Sequence, residues 1–163
     1  MTRAYDKVMV MVRLADDLAG LSTCARSHVG AVLFSPRCDR VHAMGYSGPP
    51  VGLPNDSCRS DTDACGCAHA EVNALLRAVT AEQMIMATTT SPCSQCAAAI
   101  LNSCRVAMVV YRCSYRDEAA RELLQAGGVI VTHATQQCVI DDTIVRMVSW
   151  DKETRNGWTR ERP

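Results

Sequence analysis

Between residues 68 and 132 the hydrophobic pattern switches repeatedly between the helical period and the strand period, and nothing else in the chain constrains the fold as strongly. The spacing predicts helices over about Ala68–Val79, Cys93–Asn102 and Glu118–Ala126, interleaved with strands over Ile85–Thr89, Arg105–Tyr111 and Val129–Thr132. Helices alternating with strands point to a mixed sheet sandwiched by helices. Upstream, Val8, Met11, Val12, Ala15, Leu18 and Ala19 recur at helical spacing, which predicts an amphipathic opening helix over Tyr5–Leu21. Val29–Phe34 and Val41–Met44 read as strands around a turn at Ser35-Pro36-Arg37-Cys38-Asp39, suggesting an antiparallel pair. Residues 45–58 carry too much glycine and proline for either element and read as a loop. Past His133 the pattern weakens, although Ile144–Trp150 alternates as a strand does and Asn156-Gly157 could turn a hairpin.

A chain of 163 residues fits one domain with a core at about 5–133 and a C-terminal extension over 134–163. Hydrophobic residues at 48% and charged residues at 21% are ordinary for a globular fold. The 17 basic and 17 acidic residues balance, so no global field holds a long polyanion, and a stable nucleic-acid partner is not expected. No apolar run approaches the ~18 residues of a membrane span, so no membrane partner is expected either. Charges interrupt the apolar residues of MTRAYDKVMVMVRLADDLAG, which is unlike a signal peptide. The expected location is the cytoplasm, with the 10 cysteines reduced unless a metal holds them.

Two short stretches carry chemistry. DACGCAHAEVNALL, residues 63–76, sets Cys65, Cys67, His69 and Glu71 at the mouth of a predicted helix. Ser91-Pro92-Cys93-Ser94-Gln95-Cys96 opens the next one, with Cys93 lying 22 residues after Glu71. Taken alone, Cys-x-x-Cys is a redox dithiol, half a zinc ribbon, or chance in a cysteine-rich chain. His-Ala-Glu alone equally suits a buried histidine and a glutamate placed at the positive end of a helix dipole. Together, H-x-E followed by P-C-x-x-C is the known signature of the zinc deaminases. Its parts make physical sense. His69, Cys93 and Cys96 supply the three protein ligands of a catalytic zinc and leave a fourth place for water. Glu71 stays free to move protons, provided it does not itself ligate the metal. His69 and Glu71, two apart, converge only in a first helical turn that meets the metal end-on. Thiolates gain from a helix amino terminus, and the bound metal brings its water's pKa near neutrality.

At these residues the chain resembles the deoxycytidylate (dCMP) deaminases of the cytidine deaminase superfamily. The likeness runs through Cys24-Ala25-Arg26-Ser27-His28-Val29-Gly30-Ala31-Val32, Gly45-Tyr46-Ser47-Gly48-Pro49-Pro50-Val51-Gly52, His69-Ala70-Glu71-Val72-Asn73-Ala74 and Ser91–Ile100, then Val109–Tyr111 and Tyr115, and fades after about residue 133. The resemblance implies a three-layer α/β/α cytidine deaminase-like fold, a mixed five-stranded sheet with helices on both faces. It further implies hydrolysis of dCMP to dUMP supplying thymidylate synthesis, a small-molecule nucleotide as substrate, dCTP and dTTP as effectors, and a homohexamer. The family pattern Gly-Tyr-Asn-Gly departs at Ser47, which bears on contacts to the sugar or a regulatory site.

The resemblance also marks Arg26, Tyr46, Ser47, Ala70, Asn73, Ser91 and Tyr115 as substrate or effector contacts. Tyr115 suits stacking on a pyrimidine or a place at a strand end in the core; Arg26 suits a phosphate or open solvent. Asn73 suits the site wall or a local helix-start bond. Because the family fold brings the end of the first helix near residues 58–67, Cys24, Cys58, Cys65 and Cys67 could form a second, structural zinc site, as some members carry one nearby; the alternative is four free thiols. Rival functions are a closed zinc-binding interaction module, which has no use for Glu71, a nucleic-acid editing deaminase such as the tRNA adenosine deaminases, and a deaminase of another base, nucleoside or modified deoxycytidylate.

Overall fold

The computed structural model describes residues 3–58, 65–115 and 118–153. In chain order the elements are α1 (Arg3–Ala19), β1 (Gly30–Phe34), β2 (Val41–Tyr46), α2 (Ala70–Arg77), β3 (Met84–Thr90), α3 (Ser94–Ser103), β4 (Val106–Cys113), α4 (Glu118–Ala126), β5 (Ile130–His133) and α5 (Gln137–Glu153). The strands form one five-stranded sheet in the order β2-β1-β3-β4-β5. β1 runs antiparallel to both β2 and β3, while β3/β4 and β4/β5 are parallel pairs. The short Ser35–Arg40 turn permits the antiparallel hairpin, and the crossovers through α3 and α4 impose the parallel pairs.

Helices cover both faces. Val8, Val12 and Ala15 of α1 are fully buried one turn apart and pack with Val32, Phe34, Ile85, Met108 and Val110. On the other face Ala70, Ala74 and Leu75 of α2, Ala97 and Ile100 of α3 and Leu124 of α4 pack with Ala31, Leu33, Met86 and Val109. Successive residues of β1 therefore enter opposite cores, which is why GAVLF is apolar throughout rather than alternating. Each fully buried Leu, Ile, Phe or Met in these cores contributes about 1.5–3 kcal/mol of transfer free energy.

The region after residue 133 differs from its expectation. Gln137–Glu153 is a helix, not the strand that Ile144–Trp150 suggests. Ile140 and Ile144 are buried one turn apart, and Met147 and Val148 continue the same stripe against α1. A stripe at 140, 144, 147 and 148 has the helical period, which a reading begun at Ile144 misses. The Tyr5 N–H donates to Asp141 Oδ1 at 3.0 Å and the Tyr5 hydroxyl donates to the Ala134 carbonyl at 3.0 Å, fastening this end of the chain to α1. Asn156-Gly157 and Trp158 lie outside the described residues. Two further boundaries move: β2 extends through Gly45 and Tyr46, beyond the predicted strand end at Met44, and Cys93 precedes α3 instead of opening it. Among the described residues no helix is long and apolar enough to cross a membrane.

Candidate active site and a second thiol cluster

The site forms where α2 and α3 begin. His69 is the N-cap residue of α2 and Cys93 that of α3, both with extended backbone (φ −74°, ψ 153° and φ −80°, ψ 170°). Neither side chain caps its helix. Forgoing a Ser, Thr, Asp or Asn cap costs about 1 kcal/mol per helix, and here both side chains turn toward each other instead. His69 Nδ1 lies 3.2 Å from Cys96 Sγ and 3.4 Å from Cys93 Sγ. His69 is exposed, Cys93 half-buried and Cys96 buried. Glu71, on the first turn of α2, is 4% exposed and sits beside Cys96.

Small residues set this geometry. Ala43 and Gly45 of β2 lie under Ala70 and Ala74 of α2, and a Cβ on Gly45 would meet the Ala70 carbonyl and the Ala74 N–H. The helix therefore rests on bare backbone, and its amino terminus is fixed against the sheet. Asn73 strengthens the seat by donating from Nδ2 to the Tyr46 carbonyl at 2.9 Å.

The electrostatics are those of a thiolate facing an imidazolium. Hydrogen bonds from Cys96 and then His69 pull the Cys93 thiol down to about 4 against the opposing effect of burial. The hydrogen bond to that thiolate lifts His69 to about 9. Cys96, which gives its proton to the Cys93 bond and is buried besides, is pushed up. Burial pushes Glu71 up as well, opposed by its own backbone N–H and by the charge on His69.

The donor set suits zinc. Bonds of about 2.3 Å to sulfur and 2.0 Å to nitrogen in a tetrahedron put donors about 3.5–3.8 Å apart. The three ligand atoms here lie within 4.8 Å of one another, with both sulfur–nitrogen distances already in that neighbourhood. His69, Cys93 and Cys96 could hold the metal and leave one position open.

Cys24, Cys58, Cys65 and Cys67 form a second group, again with all ligand atoms within 4.8 Å. Cys24 Sγ is 3.8 Å from Cys58 Sγ and 4.0 Å from Cys65 Sγ, and the Ala25 N–H donates to Cys58 Sγ at 3.3 Å. Gly66 has φ +75°, and this left-handed turn aims the flanking thiols at one point. Burial and then the neighbouring thiols push Cys67 up. Four sulfurs at tetrahedral separations fit a closed structural site.

The other candidate residues fall into separate places. Arg26 is exposed on the loop between α1 and β1. Ala70 is buried as the first residue of α2 and Tyr46 ends β2 with its ring at the surface. Ser47, 3% exposed, faces inward: its hydroxyl donates to the Ser27 carbonyl at 2.6 Å, accepts the Val29 N–H at 3.1 Å and lies 2.8 Å from Ser22 Oγ. Ser91 and Tyr115 meet, the Tyr115 N–H donating to Ser91 Oγ at 2.7 Å. Both line a cleft with Pro92, Tyr111, Glu118 and Arg121, and none of His69, Glu71, Cys93 and Cys96 lines it. Sequence reasoning did not single out Glu118 and Arg121, which line that cleft, or Ser22, which meets Ser47. No motif marks them.

A sheet covered on both faces, with H-x-E and P-C-x-x-C converging at two helix starts, defines a zinc-binding deaminase class. The chain belongs to the family described as the cytidine and deoxycytidylate deaminase zinc-binding region, whose model matches residues 3–113. It is 37% identical over 134 residues to the deoxycytidylate deaminase of Schizosaccharomyces pombe (72% of this chain, 41% of that protein). It is 34% identical to that of Saccharomyces cerevisiae (74% of this chain, 42% of that protein). The chain thus spans under half the length of these two relatives. A crystal structure of the dCMP deaminase from cyanophage S-TIM5, in complex with dCMP and dUMP, superposes with a TM-score of 0.70 at 26% identity, covering 82% of this chain and 98% of that one.

Proposed function

We propose that this chain is one zinc-dependent deaminase domain that hydrolyses dCMP to dUMP and ammonia, supplying dUMP for thymidylate synthesis. The observation that carries the reading is Glu71: a buried carboxyl that stands beside the three-donor set without being one of its ligands. The substrate follows from the relatives, which are deoxycytidylate deaminases.

Zinc held by His69, Cys93 and Cys96 would supply the Lewis acidity that makes water nucleophilic near neutral pH. Glu71 accepts the attacking water's proton on its carboxylate and hands it to the ring nitrogen beside the amino-bearing carbon. It then conveys the water's second proton to the departing amine, so the oxygen stays on the ring carbon and ammonia leaves. Burial favours the neutral carboxyl, which suits a group that must hold a proton between transfers. In this reading Tyr115 and Ser91, which line one cleft, form the wall against the pyrimidine, Asn73 holds the Tyr46 end of β2, and Arg26 meets phosphate. Ala70 lets α2 sit close to the sheet.

Ammonia release by the zinc-loaded protein across dCMP, CMP, deoxycytidine, cytosine, adenosine and guanine tests the reading. Selective turnover of dCMP is expected, falling about 10²–10⁴-fold in Glu71→Gln with zinc content unchanged. Loss of zinc in Glu71→Gln would make the carboxylate a ligand and sink the mechanism; turnover of another substrate would sink the assignment.

The same reading places a structural zinc on Cys24, Cys58, Cys65 and Cys67, supported by their clustering. It includes the homohexamer and the dCTP and dTTP control implied by the family resemblance, checked by light scattering and by rates with each effector. It also places the chain in the cytoplasm, which suits 10 unpaired cysteines.

A further inference from the structure

The segment that delivers His69 is tied down by the other thiol cluster. Cys65 and Cys67 precede His69 by four and two residues, and Ala68 between them and the site pairs with Gly48 in an isolated antiparallel bridge. The bridge has two bonds, Ala68 N–H to the Gly48 carbonyl at 2.8 Å and Gly48 N–H to the Ala68 carbonyl at 3.2 Å. Gly48 is itself locked: a Cβ there would stand 2.9 Å from Thr23 Oγ1, and its neighbour Ser47 is bonded to Ser22, Ser27 and Val29. Ser22 in turn receives the N–H of Cys24 at 3.3 Å. The loop bearing Cys24, the end of β2 and the segment leading into His69 are therefore one connected body, and the cysteines are its corner.

From this connection we infer that the four-cysteine site is a positioning device for the catalytic one: metal bound by Cys24, Cys58, Cys65 and Cys67 fixes residues 65–68 and thereby raises the affinity of His69, Cys93 and Cys96 for their own metal. The inference rests on the second-zinc reading above. Without metal the cluster is held by thiol contacts, which are weak hydrogen bonds, and four metal–sulfur bonds would hold residues 65–67 more firmly. Metal at the cysteines would fix the approach to His69 beforehand, so the second binding event is less costly. The coupling is reciprocal: filling the His69 site raises affinity at the cysteines by the same factor. Ser47 belongs to the device as a positioning residue. Its inward hydroxyl joins Ser22 to β2, a different employment from contact with a nucleotide sugar.

The test is chelator competition on the full chain, following zinc stoichiometry. Wild-type protein is expected to carry two zinc ions per chain, and Cys58→Ser one. In Cys58→Ser the zinc left at His69, Cys93 and Cys96 should be withdrawn by about 5-fold less chelator or lower still, the range of ordinary site-to-site coupling. Ser47→Ala should shift the same midpoint in the same direction while keeping both ions. One zinc per wild-type chain, with only the His69 site filled, would overturn the second-zinc reading and this inference with it. Two ions in wild type but an unchanged midpoint in Cys58→Ser would overturn the coupling alone. If Cys58→Ser fails to fold, cadmium-113 NMR of the wild-type chain decides. Four-sulfur and mixed sulfur–nitrogen sites give separate resonances, and at half loading cooperative filling is expected where independent filling refutes the inference.

Discussion

Gly45→Ala probes the seat of the active site without touching any ligand. A Cβ at position 45 would stand 2.6 Å from Ala74 N and nearer still to the Ala70 carbonyl, whereas ordinary contact begins near 3.4 Å. Both obstacles are backbone, so α2 as a whole must withdraw by about 1 Å. Overpacking of this kind costs about 1–3 kcal/mol, and replacing glycine by alanine returns about 0.5–1 kcal/mol through the unfolded chain. A net loss of about 1–2 kcal/mol lowers Tm by roughly 2–8 °C for a chain of this size. The catalytic effect should be far larger than the stability effect. Ala70 lies between His69 and Glu71, so the displacement carries both, and a 1 Å misplacement costs about 10²-fold in rate. Urea denaturation and ammonia release on the same preparations measure the two effects. A Gly45→Ala protein with wild-type midpoint and wild-type kcat would refute the argument that bare backbone contact sets the position of α2.

Two further predictions concern thiols. Cys93→Ser replaces a non-capping N-cap residue by a favoured one, so the metal-free protein should unfold at equal or higher urea concentration, by up to about 1 kcal/mol, while its zinc is lost. A metal-free variant less stable than wild type would show that the thiolate's interaction with the helix dipole outweighs the missing cap. Cys38 is buried in the α1 face and pushed up from 9.0 to about 11, chiefly by burial, with Lys7 lowering and Asp39 raising it. The folded chain holds this proton where the unfolded chain releases it, so the thiol's contribution is whole below pH 9 and is lost as pH rises toward 11. Urea midpoints between pH 8.5 and 11 should fall less steeply in Cys38→Ala than in wild type; parallel slopes would remove Cys38 as a cause.

The layers of the fold were legible because period alone distinguishes a helix from a strand. Val8, Val12 and Ala15 predict α1 and its buried face, and Val29–Phe34 predicts the strand that the structure covers on both sides. The C-terminal helix was not legible, because the seven residues Ile144–Trp150 imitate a strand until Ile140 is counted with them. The candidate donors were recognisable for a different reason. Helix starts gather side chains from nearby residues, so His69 with Glu71, and Cys93 with Cys96, are local pairs that a linear pattern can record.

What unites those pairs is not local. The 3.2 Å and 3.4 Å contacts of His69 with Cys96 and Cys93 exist because α2 and α3 pack side by side on one face of the sheet, above small residues of β2. The direction of Ser47, read from its position in a motif, also depended on partners 20 and 25 residues earlier in the chain. By itself the sequence determined the layers, the donor types and their local spacing, all properties of residues within a few turns of one another. Only the tertiary structure decided which donors meet, which carboxyl is buried beside them, and that the second cysteine cluster is joined to the segment bearing His69. Those depend on contacts whose cost in chain entropy is met only when the whole sheet has formed.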